Sequence, residues 1–237
     1  IYIVIIKIII NLMLDSIEVK INYSNEKNNW RVDAEKNALP LIENIIKHIF
    51  IVQLIAGSLP KDIFEKYIIK DIIYCKDYQK SLYNLSQKLS EDKDKKFFEK
   101  AANSTKSIID YLKKEYNVDE SKEEYLPLCK EYSMFEKDSV NESIEQGLGS
   151  LLPCYYVYNE IGKYIQKQEI GKDNIYADFI KSTFEESKSL NVYFEICERY
   201  SKKSEDSYKR MMESFLKGVE YEYYFFDSCY NYKNNIN

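Results

Sequence analysis

A chain of 237 residues with 45% hydrophobic side chains is long enough for one large domain or two small ones. Its six Gly and four Pro supply too little turn chemistry for a many-stranded β fold, and a net charge of −5 without a basic patch excludes nucleic acid as a natural partner. The five Cys form no CxxC pair and are odd in number, which excludes a disulfide framework and fits a reducing, cytoplasmic setting. The single histidine, His48, is too few for HExxH sites, the usual Cys/His zinc clusters or a ferritin-like di-iron site.

Residues 1–14 read IYIVIIKIIINLML, which is too short to span a bilayer and is interrupted by Lys7, so no membrane association is expected. No small-residue cleavage site follows, and the stretch reads as an extension, non-native in part, outside the fold. Residues 15–37 read as a polar, irregular leader. Leu41, Ile45, Ile49 and Val52 then form a helical stripe over 38–56, with Gly57 able to cap its end. Ser58 is a candidate N-cap for the next helix, with Pro60 in its first turn.

That next helix is long. Ile63, Phe64, Tyr67, Ile68, Asp71, Tyr74, Tyr78, Leu82 and Leu85 recur at threes and fours, which puts Asp71 on an apolar face beside Tyr74 and Tyr78. An acid there costs free energy unless it is paired or used; the alternative is a boundary residue reaching solvent. Residues 91–95 read as a charged break, 97–116 as a third helix, and 117–128 as an acidic loop. A weaker helix over 132–147 runs on into SLLPCYYVYNEIG (150–162), where Gly147 and Gly149 allow close approach of a neighbouring helix. Pro153 breaks the ladder directly before Cys154, and amides at a restarting helix would favour the thiolate. Tyr158 shares the Cys154 face. The other reading of Cys154 is a small core residue.

Short helices over 175–187 and 191–200 precede a last long helix over 204–230. Glu222 lies there among Tyr221, Tyr223, Tyr224, Phe225 and Phe226. Desolvation in such a setting raises a carboxyl pKa toward neutrality, which suits acid/base work; alternatively Glu222 points to water. With no repeat or linker, residues 38–232 read as one all-α domain followed by a tail of 233–237.

Three segments together resemble TenA-type thiaminase II proteins. HIFIVQLIAGSLPKDIFEKYIIKDIIYCKDY (48–78) is similar to the N-terminal signature, a histidine, a Gly-(Ser/Thr)-Leu-Pro turn, and an aspartate followed three residues later by an aromatic. LLPCYYVYNEIG (151–162) is similar to the cysteine segment, and YEYYFFDSCY (221–230) to the C-terminal acidic-aromatic segment. The resemblance implies a haem-oxygenase-like helical bundle, a homotetramer, and no metal or cofactor. It further implies hydrolysis of aminopyrimidines, including 4-amino-5-aminomethyl-2-methylpyrimidine, to the hydroxymethylpyrimidine used in thiamine salvage, with thiamine itself a candidate second substrate. By the same resemblance Cys154 is the nucleophile, Glu222 the acid/base and Asp71 the acid holding the aminopyrimidine edge, while Tyr74, Tyr158 and Tyr132 are substrate-pocket aromatics.

The chain departs from that pattern at three places. Tyr132 aligns only after a one-residue slip. Lys70 precedes Asp71 where glutamine is usual, and Thr183, with Phe184 next to it, stands where the family often has tyrosine. Two rival readings follow. One is a haem-binding or quinone-biosynthesis relative with His48 as axial ligand. The other is a non-catalytic bundle that binds a pyrimidine or a partner helix.

Overall fold

A computed structural model describes residues 29–184 and 188–235; the apolar extension and most of the polar leader lie outside the described residues. Helix α1 (Trp30–Ile46) starts inside the stretch expected to be irregular. Its polar residues Arg31, Glu35 and Lys36 mask a buried face of Trp30, Ala34, Ala38, Leu41 and Ile45, and the Asn29 side chain caps it by accepting from the Val32 amide.

The single helix expected over 38–56 is two. Helix α2 (Ile49–Ala56) begins after His48, whose Nδ1 accepts from the Phe50 amide at 3.2 Å, and the two axes differ by 58°. No single helix among the described residues is long and apolar enough to cross a membrane, and the bent α1–α2 pair buries Trp30, Ile45, Phe50 and Leu54 in the core. Gly57 caps α2 in the left-handed region, φ 72°, which a residue without Cβ adopts freely. Helix α3 (Lys61–Lys88) starts on Pro60 rather than Ser58, whose amide instead closes α2 by donating to the Gln53 carbonyl.

Helix α4 (Asp92–Tyr116) starts inside the expected charged break, because Asp92 and Asp94 favour a helix N-terminus. Helices α5 (Pro127–Glu142), α6 (Ile144–Leu151) and α7 (Pro153–Ile165) follow. Extended Ser143 separates the first two and caps α6, and Pro153 restarts the chain as α7, as the sequence predicts. Helices α8 (Ala177–Thr183), α9 (Lys188–Ser201) and α10 (Glu205–Tyr230) complete an all-α bundle.

Helix α10 runs through the centre, burying Met211, Met212, Phe215, Val219 and Phe226 against α1, α5, α6 and α7, while α3 packs along α4 and α5. Two glycines bring α10 down onto the α6–α7 junction. A Cβ on Gly149 would lie 2.2 Å from the Met211 carbonyl oxygen, and one on Gly218 would lie 2.5 Å from Pro153 Cγ. Gly149→Ala therefore forces two backbones apart. It is expected to cost about 3 kcal/mol, lowering Tm by roughly 6–12 °C in a domain of this size, as read by thermal denaturation. An unchanged Tm would contradict this packing.

Candidate active site

Helices α3 and α7 face each other across a cavity of about 520 Å³. Asp71, Cys75 and Tyr78 line it from α3, and Cys154, Tyr155, Tyr158 and Asn159 from α7. Thr105, Ile108 and Tyr111 of α4 and Phe179, Ser182 and Thr183 of α8 close the remaining wall. Asp71 and Cys154 retain partial exposure because they look into this space. Tyr74, Tyr132 and Glu222 are not among the lining residues; all three are buried in the layer next to it.

That layer is a set of stacked phenols tied to acids. Tyr74 donates to Glu136 Oε1 at 2.7 Å, and Tyr132 donates to Glu222 Oε1 at 2.9 Å. The Tyr74 and Tyr132 rings stack at 5.1 Å, and Tyr132 stacks on Tyr221 at 5.2 Å. The Tyr158 hydroxyl shares a hydrogen bond of 2.8 Å with Tyr67, and its ring stacks on Phe184 at 5.5 Å. Thus where the resemblance leads one to expect a tyrosine, Thr183 lies on the cavity wall, Phe184 supplies the ring face and Tyr67 the phenol. Tyr78 donates to the Leu151 carbonyl at 2.8 Å, pinning the α6 end next to Pro153.

Burial dominates the electrostatics. It pushes the Asp71 carboxyl up to about 7, against a weak pull from the Cys75 thiol, which donates to Oδ1 at 3.9 Å. It pushes Glu222 up to about 8, with the Tyr132 hydrogen bond pulling back and the Asp71 charge adding to the rise. The Cys154 thiol is held well above its ordinary value by burial and then, in order, by Glu222, Glu136 and Asp71, whose negative charge when ionised opposes a thiolate. This corrects the expectation that a helix restart favours the thiolate. The Tyr155 and Tyr156 amides beside the sulfur are both spent on the Leu152 carbonyl, and no cation is near enough to offset three acids. The resting group is a neutral thiol.

Other residues read from the sequence fall elsewhere. Lys70 turns to Glu123 Oε2 at 2.7 Å, away from the cavity. His48 does not line the cavity. One ring nitrogen caps α2 and the other meets Asp227 at 3.4 Å, between the rings of Tyr223 and Tyr230, which leaves none for an axial bond to haem. Among the described residues no group of three or more His, Cys, Asp and Glu is disposed to hold a metal ion.

Sequence reasoning missed Glu136, Tyr67 and Cys75. Tyr67 and Cys75 sit four residues either side of Asp71 on one face of α3, and Glu136 sits one turn after Tyr132, among the buried Cys129, Ser133 and Val140. An acid on that stripe was the available signal.

Residues 35–232 match the model of the TENA/THI-4/PQQC family. The chain is 24% identical over 204 residues to an aminopyrimidine aminohydrolase of Staphylococcus epidermidis, covering 81% of this chain and 89% of that one. It is 23% identical over 216 residues to the protein of the same name in Staphylococcus carnosus, covering 85% and 94%. Among solved structures, a TenA homologue from P. horikoshii OT3 superposes with a TM-score of 0.75 at 22% identity, covering 85% of this chain and 98% of the other. A TenA homologue from Pyrococcus furiosus does so with a TM-score of 0.75 at 18% identity, covering 84% and 99%. At these identities the structural likeness establishes the fold. With a family match that runs through every helix around the cavity, this chain belongs to the TENA/THI-4/PQQC family.

Proposed function

We propose that the chain is an aminopyrimidine aminohydrolase that converts 4-amino-5-aminomethyl-2-methylpyrimidine to its hydroxymethyl form in thiamine salvage, in the cytoplasm and as a homotetramer. The observation that carries this reading is the meeting of Asp71, Cys154 and Tyr158 on one cavity, with Glu222 the largest charge felt by the thiol. The names of the staphylococcal relatives agree with it.

A flat heterocycle with apolar faces and a polar edge suits a space walled by tyrosines and an acid. Asp71 accepts the exocyclic amine at that edge. The Cys154 sulfur bonds to a ring carbon while its proton passes to ionised Glu222, so a neutral resting thiol is compatible with attack. The electron pair displaced onto the neighbouring ring carbon expels the amine from the methylene as an exocyclic double bond forms, and Glu222 returns the proton so that ammonia leaves. Water adds to the methylene and gives its proton to Glu222. The carbon–sulfur bond breaks, aromaticity returns, and the proton goes back to the thiolate. The sum is R–CH2–NH2 plus water giving R–CH2–OH plus ammonia.

Edge binding by Asp71 is tested by Asp71→Ala. Loss of one charge-assisted hydrogen bond is worth about 1.5–3 kcal/mol, so kcat/KM is expected to fall roughly 10- to 100-fold, most of it as a higher KM. Steady-state assay of ammonia release reads this, and an unchanged KM would remove Asp71 from the site.

A further inference from the structure

The reaction above leaves one buried acid of the same layer unused. Glu136 is 0% exposed, and the groups with most influence on its ionisation are Tyr74, Glu222, Tyr132 and Asp77, none of them a cation. Its Oε1 accepts from Tyr74. Its Oε2 is buried and closes no hydrogen bond of ordinary geometry, although the Tyr132 phenol is near enough to favour the charged form. An uncompensated acid at full burial is costly for stability alone, so its place in the fold calls for a use.

The connections give one. Glu136 anchors the Tyr74 hydroxyl, Tyr74 stacks on Tyr132, and Tyr132 donates to Glu222. We propose that Glu136 is a positioning residue of the aminohydrolase site, which fixes the Tyr74 phenol and, through the Tyr74–Tyr132 stack, holds the Glu222 carboxyl in place. This rests on the function proposed above.

Neutrality follows from the surroundings. Tyr74 and Asp77 face Glu136 from α3 and Glu222 faces it from α10, and burial outweighs the two phenols, so the carboxyl keeps its proton well above the ordinary range. It must stay neutral for the chemistry as well. Cys154 on α7 feels a charge at Glu136 second only to that at Glu222, and an ionised Glu136 would oppose loss of the thiol proton.

The test compares Glu136→Gln, which keeps an acceptor for Tyr74, with Glu136→Leu, which does not. Glu136→Leu is expected to lower kcat/KM roughly 10- to 100-fold and to displace the rise of kcat/KM with pH that Glu222, titrating at about 8, imposes, whereas Gln restores kcat/KM to within about threefold and that rise to its place. Because Leu leaves the Tyr74 hydroxyl unpaired, the double variant Glu136→Leu/Tyr74→Phe separates folding from positioning. It is expected to melt no lower than the wild type and to remain slow. Full activity in Glu136→Leu would overturn the proposal, as would a Gln variant as slow as the Leu variant, or a double variant whose loss of activity tracks a loss of Tm. A wild-type protein that releases no ammonia from the aminopyrimidine overturns the function and this role together, whereas an active wild type with an equally active Leu variant overturns this role alone.

Discussion

Cys154→Ser is expected to abolish hydrolysis, with kcat/KM reduced by roughly a thousandfold or more, while the protein stays helical and melts within a few degrees of the wild type. The reason lies in where the sulfur sits. Cys154 looks into the cavity, so exchanging sulfur for oxygen removes the proposed nucleophile and leaves no void in the core. A hydroxyl in that place is a far weaker nucleophile, since it ionises far less readily than a thiol before the surrounding acids oppose it at all. Activity is read as hydroxymethylpyrimidine formed and folding as far-ultraviolet circular dichroism. A serine variant as fast as the wild type rejects covalent attack by this residue.

Glu222→Gln is expected to produce two effects of opposite sign. Turnover falls by about 10²- to 10⁴-fold, the usual share of a positioned proton carrier, and the rise of kcat/KM through about pH 8 disappears with it. Stability moves the other way. The folded Glu222 titrates at about 8 against an ordinary value of 4.5, so the unfolded chain gives up its proton first. The stability that the protonated carboxyl contributes is complete below about pH 4.5 and is lost progressively as pH rises through 8. Gln cannot ionise and keeps the Tyr132 hydrogen bond through its amide oxygen. The variant should therefore match the wild type near pH 4.5 and exceed it near pH 8.5, by at most about 4–5 kcal/mol. Thermal unfolding at the two pH values measures the difference. A variant destabilised at pH 8.5 would mean that Glu222 is charged and compensated in the fold.

The all-α class was legible because few glycines and prolines and a repeating three-four apolar spacing leave little else, and the break at Pro153 followed from a missing amide hydrogen. The start of α1 was obscured because the polar Asp33 and Asn37 lie on its buried face and lower the apparent amphipathicity. The joint at His48 was hidden because Ile45, Ile46, Ile49 and Phe50 carry the apolar spacing across it, and only a side-chain cap marks the break. Asp71 stood out as an acid on an apolar stripe and Glu222 as one inside an aromatic run. Glu136 did not, because Lys137 and Asp138 follow it directly and give the look of a solvated face. The ionisation of Cys154 was the least legible property. Local helix geometry pointed to a thiolate, but acids carried on three other helices, distant in sequence, decide the balance.

Hydrolysis in H2(18)O, with the pyrimidine product examined by mass spectrometry and ammonia counted in the same vessel, asks the central question most directly. One labelled oxygen in each hydroxymethylpyrimidine, one ammonia for each product, and neither from the Cys154→Ser protein is the result the account predicts. An aminopyrimidine recovered intact from the wild-type protein, or consumed equally by the serine variant, would contradict it.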